Sequence, residues 1–71
     1  MEIELNDIVK LNNNEEYIVE SVLIIDNKKI LLLREKNNKK LTFVKVIKEN
    51  NQNVFVDLDD KEYKKALEKI S

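Results

Sequence analysis

The chain has 71 residues, of which 42% are hydrophobic and 38% charged, and it contains no Gly, Pro, Cys, His or Trp. A chain of this length forms one small domain, residues 1–71. Without Cys or His it has no disulfides, no thiolate or imidazole metal site, no thiol catalysis and no Ser-His-Asp chemistry, and without Gly it has no glycine-rich phosphate loop. Thirteen Lys and Arg against 14 Asp and Glu leave a net charge of −1, which argues against a dedicated polyanion binder. We therefore expect a non-enzymatic protein without a cofactor or a metal ion.

The first residues and the lengths of the apolar runs bear on localisation. Met1–Glu4 is acidic, whereas a signal peptide begins with a basic and then an apolar region. The longest apolar runs have four residues, and a membrane-spanning helix needs roughly 20. These features predict a soluble cytoplasmic protein.

Short runs rich in Ile, Val, Leu, Tyr and Phe alternate with Asn-rich turns along most of the chain. Asn tolerates positive φ better than other residues with a Cβ, so in a chain without glycine we expect it to form the tight turns. These turns fall at Asn12-Asn13-Asn14, Asp26-Asn27, Asn37-Asn38 and Asn50-Asn51. The runs predict five strands, near Asp7–Leu11, Glu16–Ile25, Lys29–Glu35, Lys40–Lys48 and Asn53–Leu58. Such spacing is typical of an antiparallel meander that curls into a small barrel or sandwich.

The central hairpin of this meander, Val22–Ile25 with Ile30–Leu33, is apolar on both faces. An antiparallel sheet usually exposes one face to water, so we expect a helix or a partner to cover the second face. Strict alternation along the second strand predicts one shared face for Tyr17, Val19, Leu23 and Ile25. The predicted core comprises Ile8, Tyr17, Val19, Leu23, Ile30, Leu32, Phe43, Val54, Val56, Leu67 and Ile70.

The segment after the last strand predicts a capped helix over residues 60–70. Asp59 as the N-cap and Glu62 three residues later form a capping box, and Leu58 and Tyr63 stand at the positions of a hydrophobic staple. An apolar stripe follows at helical spacing, formed by Tyr63, Ala66, Leu67 and Ile70. A helix this short needs packing to persist, so we expect the stripe to cover part of the second face of the sheet.

The opening strands carry a family resemblance. The pattern D-I-V-x-L at Asp7–Leu11, a polar turn, and Y-x-V-x-x-V at Tyr17–Val22 resemble the first hairpin of small SH3-like barrels. The order of elements is also similar to that of small uncharacterised proteins of low-GC Firmicutes. We expect a mainly β (α+β) fold, a five-stranded antiparallel SH3-like barrel or curled meander (strands about 7–58) with one C-terminal α-helix (about 60–70). SH3-like barrels mostly bind peptides, nucleic acids or other proteins, so the resemblance implies a binding function.

The charges are distributed unevenly. Residues 1–27 contain seven acids and one base, whereas residues 28–48 contain eight bases and one acid. This basic segment, residues 28–48, fits contacts with a polyanion or an acidic partner, for which the candidates are Lys28, Lys29, Arg34, Lys36, Lys39 and Lys40. The same lysines are also typical of a solvated surface that keeps strand edges from pairing, next to the acids of the first two strands.

The favoured interpretation is a non-enzymatic protein-binding module that acts as an adaptor, regulator or inhibitor of a partner protein. A phage- or mobile-element-encoded inhibitor would fit this description. The candidate partner-binding patch, which would also serve as a homodimer interface, comprises Val22, Ile24, Leu31 and Leu33. The alternative is a nucleic-acid-binding module that uses the basic segment, and no membrane partner is expected.

Overall fold

The computed structural model describes residues 3–11 and 14–70. These residues form five strands and one helix, in the order β1 (Ile8–Lys10), β2 (Glu16–Ile25), β3 (Lys28–Glu35), β4 (Leu41–Glu49), β5 (Gln52–Val56) and α1 (Asp60–Ile70). Each strand pairs antiparallel with the next, and the single sheet curls into a half-barrel. The predicted curled meander of five strands with a C-terminal helix is confirmed, although β1 and β5 are shorter than predicted.

Two hairpins have two-residue loops made of residues with positive φ. Asp26 and Asn27 connect β2 to β3 with φ of 52° and 64°, and Asn50 and Asn51 connect β4 to β5 with φ of 50° and 65°. Two successive positive φ values define a type I′ turn, whose twist matches that of the flanking strands. The prediction that Asn forms the tight turns is confirmed at both hairpins.

The other two predicted turns give a different result. Between β3 and β4 the positive φ falls on Lys39, at 61°, rather than on Asn37 or Asn38. In the turn between β1 and β2, Asn14 has a φ of 63°, and Asn12-Asn13 lie outside the described residues.

A β-bulge in β2 changes the face that its side chains occupy. The register between β2 and β3 shifts between Val19 and Ser21, so Glu20 is an extra residue with no partner in the ladder. One inserted residue inverts the alternation, because side chains alternate with a period of two. The predicted common face of Val19 and Ile25 is therefore wrong, since these residues belong to different clusters on opposite faces.

Each face of the sheet carries its own apolar cluster. The first cluster comprises Tyr17, Val19, Leu31, Leu33 and Val44, bordered by Ile3, Val9, Leu11, Val22, Val46 and Phe55. The second cluster comprises Ile25, Ile30, Leu32, Phe43 and Ala66, bordered by Leu23 and Leu58. Because Ala66 belongs to α1, the helix covers part of the second face, as predicted.

Most of the predicted core residues are buried or partly buried, but three are not. Ile8, Leu67 and Ile70 are 54%, 42% and 42% exposed, so their assignment to the core is wrong. Ile8 lies on the edge strand β1, where its neighbour Val9 packs against the first cluster and alternation directs Ile8 to the other face. The exposure of Leu67 and Ile70 follows from the way α1 is attached to the sheet.

Candidate functional site

A buried carboxylate, Glu62, attaches α1 to the sheet. The backbone N–H of Glu62 donates to Asp59 Oδ1 at 2.7 Å, and Glu62 Oε1 accepts from the backbone N–H of Asp59 at 3.1 Å, which confirms the capping box. Lys45 Nζ on β4 donates to both carboxylate oxygens of Glu62 at 3.0 and 2.8 Å, and Lys28 Nζ on β3 donates to Oε2 at 3.1 Å. The hydrogen bond from Lys45, the backbone N–H of Asp59 and the second ammonium lower the pKa of Glu62 to about 2. Glu62 is therefore ionised at neutral pH and stays directed towards the two lysines.

This ion cluster, formed by Glu62, Lys45 and Lys28, fixes the rotation of α1 about its axis. Glu62 and Ala66 are the buried residues of the helix, and positions i and i+4 lie on one helix face. Further along, Lys65 Nζ donates to Asp26 Oδ2 in the β2–β3 turn at 2.7 Å. The hydrogen bond and the charge attraction in this pair lower the pKa of Asp26 and raise that of Lys65.

The rotation leaves the predicted apolar stripe at the side of the helix. Ala66 faces the sheet and packs in the second cluster, whereas Tyr63, Leu67 and Ile70 are 49%, 42% and 42% exposed. A charged contact and the smallest side chain of the stripe thus face the sheet, and the large apolar side chains remain accessible to solvent.

A groove lies between this side of α1 and the start of β4, and we call it the α1–β4 groove. Its volume is about 470 Å³, and it is lined by Leu32, Leu41, Thr42, Phe43, Asp57, Leu58, Tyr63, Leu67 and Ile70. The rings of Phe43 and Tyr63 meet edge to face, with centroids 5.5 Å apart and planes at 89°, so the floor and the helix wall are in direct contact. Asp57 is the one charged residue among the nine that line it. The α1–β4 groove therefore offers apolar surface with a single carboxylate.

The α1–β4 groove was not predicted from the sequence. Leu41 and Asp57 were not among the predicted partner-binding residues, because the strand pattern gives no sign that they meet the helix. One feature of the sequence could have indicated the groove. Glu62 and Ala66 stand at i and i+4 on a helix expected to dock on a lysine-bearing sheet, so this face, rather than the larger apolar side chains, could have been expected to contact the sheet.

The four residues of the predicted partner-binding patch lie in different environments. Leu31 and Leu33 are fully buried in the first cluster, and Val22 packs against it. Ile24 is 63% exposed, so it is the member of the patch that a partner reaches in this conformation. The expected surface position of Leu31 and Leu33 is corrected, because Ile3, Val9 and Leu11 pack against this cluster. A binding role for the patch stays a prediction.

Part of the basic segment is paired with acids of β2. Arg34 Nε donates to Glu20 Oε1, and Lys36 Nζ lies 3.5 Å from Glu16 Oε1. These exposed ion pairs contribute little to stability, but they reduce the positive potential that a polyanion would experience.

The other predicted basic contacts fall into two groups. Lys28 and Lys29 join Lys48 in lining a second groove of about 330 Å³, which we call the lysine groove. Lys39 and Lys40 are exposed in the turn before β4. The structure therefore distributes the six predicted residues over several surfaces rather than one.

Within residues 3–11 and 14–70, no group of three or more Asp and Glu side chains is arranged to hold a metal ion. No helix in this part of the chain has both the length and the apolar composition that crossing a membrane requires. No protein-family model, curated protein or solved structure matches the chain.

Proposed function

We propose that the protein is a non-enzymatic binding module that holds an apolar segment of a partner protein in the α1–β4 groove. The observation that carries this proposal is the exposure of four large apolar side chains around one concave site, namely Leu41, Tyr63, Leu67 and Ile70. Concave sites with apolar walls and few polar groups are where proteins commonly bind ligands. By binding this segment of its partner, the protein acts as an adaptor, a regulator or an inhibitor.

The lining of the α1–β4 groove defines the chemistry of the partner. Each aliphatic or aromatic side chain that becomes buried contributes about 1.5–3 kcal/mol, so two such side chains supply most of the affinity. Asp57 is exposed, and an ion pair there contributes at most about 1 kcal/mol. We therefore expect a segment with two apolar anchors and one nearby Lys or Arg, in which the cation sets the orientation.

The fold and the sequence pattern support the wider setting of this proposal. Small curled sheets often serve as binding modules, and the pattern at Asp7–Leu11 and Tyr17–Val22 resembles SH3-like barrels. We propose a cytoplasmic protein of bacterial or phage origin, related to the small proteins of low-GC Firmicutes that it resembles. An inhibitor encoded by a phage or mobile element would have this size and this kind of accessible apolar site.

A random peptide library displayed on phage tests the proposal. We expect the immobilised protein to enrich peptides with two apolar residues and one basic residue. In titrations with one synthetic peptide of this kind, Leu67→Glu in the α1–β4 groove should weaken binding at least tenfold. Ile24→Glu introduces the same charge at an exposed apolar position outside the groove, and it should change the affinity less than twofold.

Two results would contradict the proposal. One is an enriched peptide whose affinity falls with Ile24→Glu but not with Leu67→Glu, which would place the site on the predicted patch. The other is a library selection that yields no consensus although circular dichroism shows the immobilised protein to be folded.

Nucleic-acid binding is the second candidate function, and the convergence of three lysines on the lysine groove favours it. This function predicts binding to a labelled oligonucleotide that weakens steeply with salt, because each neutralised phosphate releases counterions. The combined substitution of Lys29 and Lys48 by Glu, which leaves Lys28 with Glu62, should abolish such binding. Absence of an anisotropy change at low salt would exclude this candidate.

A further inference from the structure

The outer edge of β5 lacks the features that usually protect an open strand. Sheet edges are normally blunted by charged residues, proline, bulges or very short strands. The stretch Asn50–Val56 has no charged residue, although 38% of the chain is charged. The opposite edge strand, β1, has three residues and is flanked or occupied by Asp7 and Lys10. The two edges of the sheet therefore differ in how well they are protected against pairing.

The hairpin geometry shows which backbone groups of β5 point outward. In a type I′ turn the residues that flank the loop, here Glu49 and Gln52, form a hydrogen-bonded pair. Hydrogen-bonded and non-hydrogen-bonded pairs then alternate along an antiparallel ladder. Asn53 and Phe55 are consequently the residues of β5 whose N–H and C=O groups point away from β4. Among the described residues, no strand lies beyond β5 to receive them.

We propose that β5 pairs antiparallel with β5 of a second copy of this chain, about a twofold axis at Val54. In this register Asn53 lies opposite Phe55 of the second copy, and Phe55 lies opposite Asn53 of the second copy. The two pairs exchange four hydrogen bonds and satisfy every outward group of both residues. A shift by two residues in either direction places Asn53 or Phe55 opposite itself and leaves the other outside the paired strands.

The side chains also fit this register. Asp57 lies opposite the uncharged Asn51 of the second copy, so no like charges face each other. On the second face, Val54 is paired with Ile47 of β4, which is 39% exposed, and the two Val54 side chains meet at the axis. Because only a few residues from each copy take part, the interface falls well below the size of a stable dimer. We therefore expect a dissociation constant in roughly the micromolar to millimolar range.

Asn53, Val54 and Phe55 do not line the α1–β4 groove, although Asp57, at the end of the paired register, does. Different substitutions therefore test self-association and partner binding. Sedimentation velocity over a hundredfold concentration range, up to about 1 mM, tests the proposal. The mean mass should rise from the 8.4 kDa of one chain towards twice that value. Hydrogen exchange at Asn53 and Phe55 should slow over the same range, because their N–H groups become bonded.

Substitutions distinguish this edge from other surfaces. Val54→Lys places two ammonium groups together at the axis and should raise the dissociation constant at least tenfold. Ile24→Lys is the matched control, because it introduces a lysine at an exposed apolar position away from β5, and it should leave the dissociation constant within twofold. Asn53→Pro removes the outward N–H of residue 53 and keeps the hydrogen bonds between β5 and β4, so it should also abolish dimerisation. This second variant tests the proposal even if Val54→Lys does not fold. A wild-type chain that stays monomeric at 1 mM, or a dimer lost with Ile24→Lys but retained with Asn53→Pro, would overturn the proposal.

Discussion

Two neighbouring leucines on β3 provide a test of the two-sided core. Leu31 belongs to the first cluster and Leu32 to the second, and they are 0% and 9% exposed. Truncation of either to Ala removes three carbon atoms, which is about 2.4 kcal/mol of transfer free energy, and the cavity left behind adds to that cost. We expect each substitution to lower the free energy of unfolding by about 3 kcal/mol. At about 0.05–0.15 kcal/mol per residue the whole chain has only about 4–11 kcal/mol, so either loss is a large fraction of the total.

Urea unfolding followed by circular dichroism measures these losses. Leu41→Ala is the matched control, because Leu41 is 54% exposed and its truncation should cost about 1 kcal/mol or less. In thermal unfolding the two core variants should melt roughly 12–24 °C below the wild type, at about 4–8 °C per kcal/mol. If Leu32→Ala costs no more than Leu41→Ala, then α1 does not cover the second face and the description of the core is refuted.

Three further predictions concern the helix attachment and the β2–β3 turn. Because the folded-state pKa of Glu62 is about 2, below its ordinary 4.5, its stabilising effect is complete above about pH 5 and is lost as the pH falls towards 2. The Tm of Glu62→Gln should therefore lie furthest below that of the wild type above pH 5, and the two Tm values should become nearly equal near pH 2. A difference in Tm that does not change with pH would contradict the ion cluster. In the β2–β3 turn, Asn27→Ala should cost about 1 kcal/mol in urea unfolding while Asn27→Gly costs nothing, since only the former strains a residue with φ of 64°. Finally, Glu62→Leu should allow α1 to rotate until its apolar stripe packs on the sheet. Acrylamide quenching of Tyr63, the exposed one of the two tyrosines, should then decrease. Unchanged quenching would mean that the ion cluster does not set the rotation of the helix.

The elements of the fold could be predicted because their signals are local. The capping box depends on Asp59 and Glu62, which are three residues apart, and each type I′ turn depends on two adjacent residues. The two-sided core was also visible, since the central hairpin is apolar on both faces and a helix with an apolar stripe follows in the same chain. In all these cases, the residues that interact are close in sequence or share one simple period.

The errors arose where a local irregularity or a distant contact overrides a simple period. The bulge at Glu20 inverts the alternation of side chains between the two faces along β2. A glycine often marks a bulge in a sequence, but this chain contains none. The exposure of Leu67 and Ile70 depends on Lys28 and Lys45, which lie 34 and 17 residues before Glu62. No periodicity in the helix alone could reveal this attachment.

The same attachment explains why the α1–β4 groove stays open in so small a protein. A helix docked only by its apolar stripe would rotate until Tyr63, Leu67 and Ile70 were buried, because each buried side chain gains about 1.5–3 kcal/mol. The fold instead directs Glu62 towards two lysines, and a charge in that position must stay paired, since removal of a partner leaves it buried without compensation. The rotation of α1 is thus a compromise in which a polar anchor keeps apolar surface exposed. Glu62 therefore both caps the helix and keeps the α1–β4 groove open, which is the site that we propose for binding.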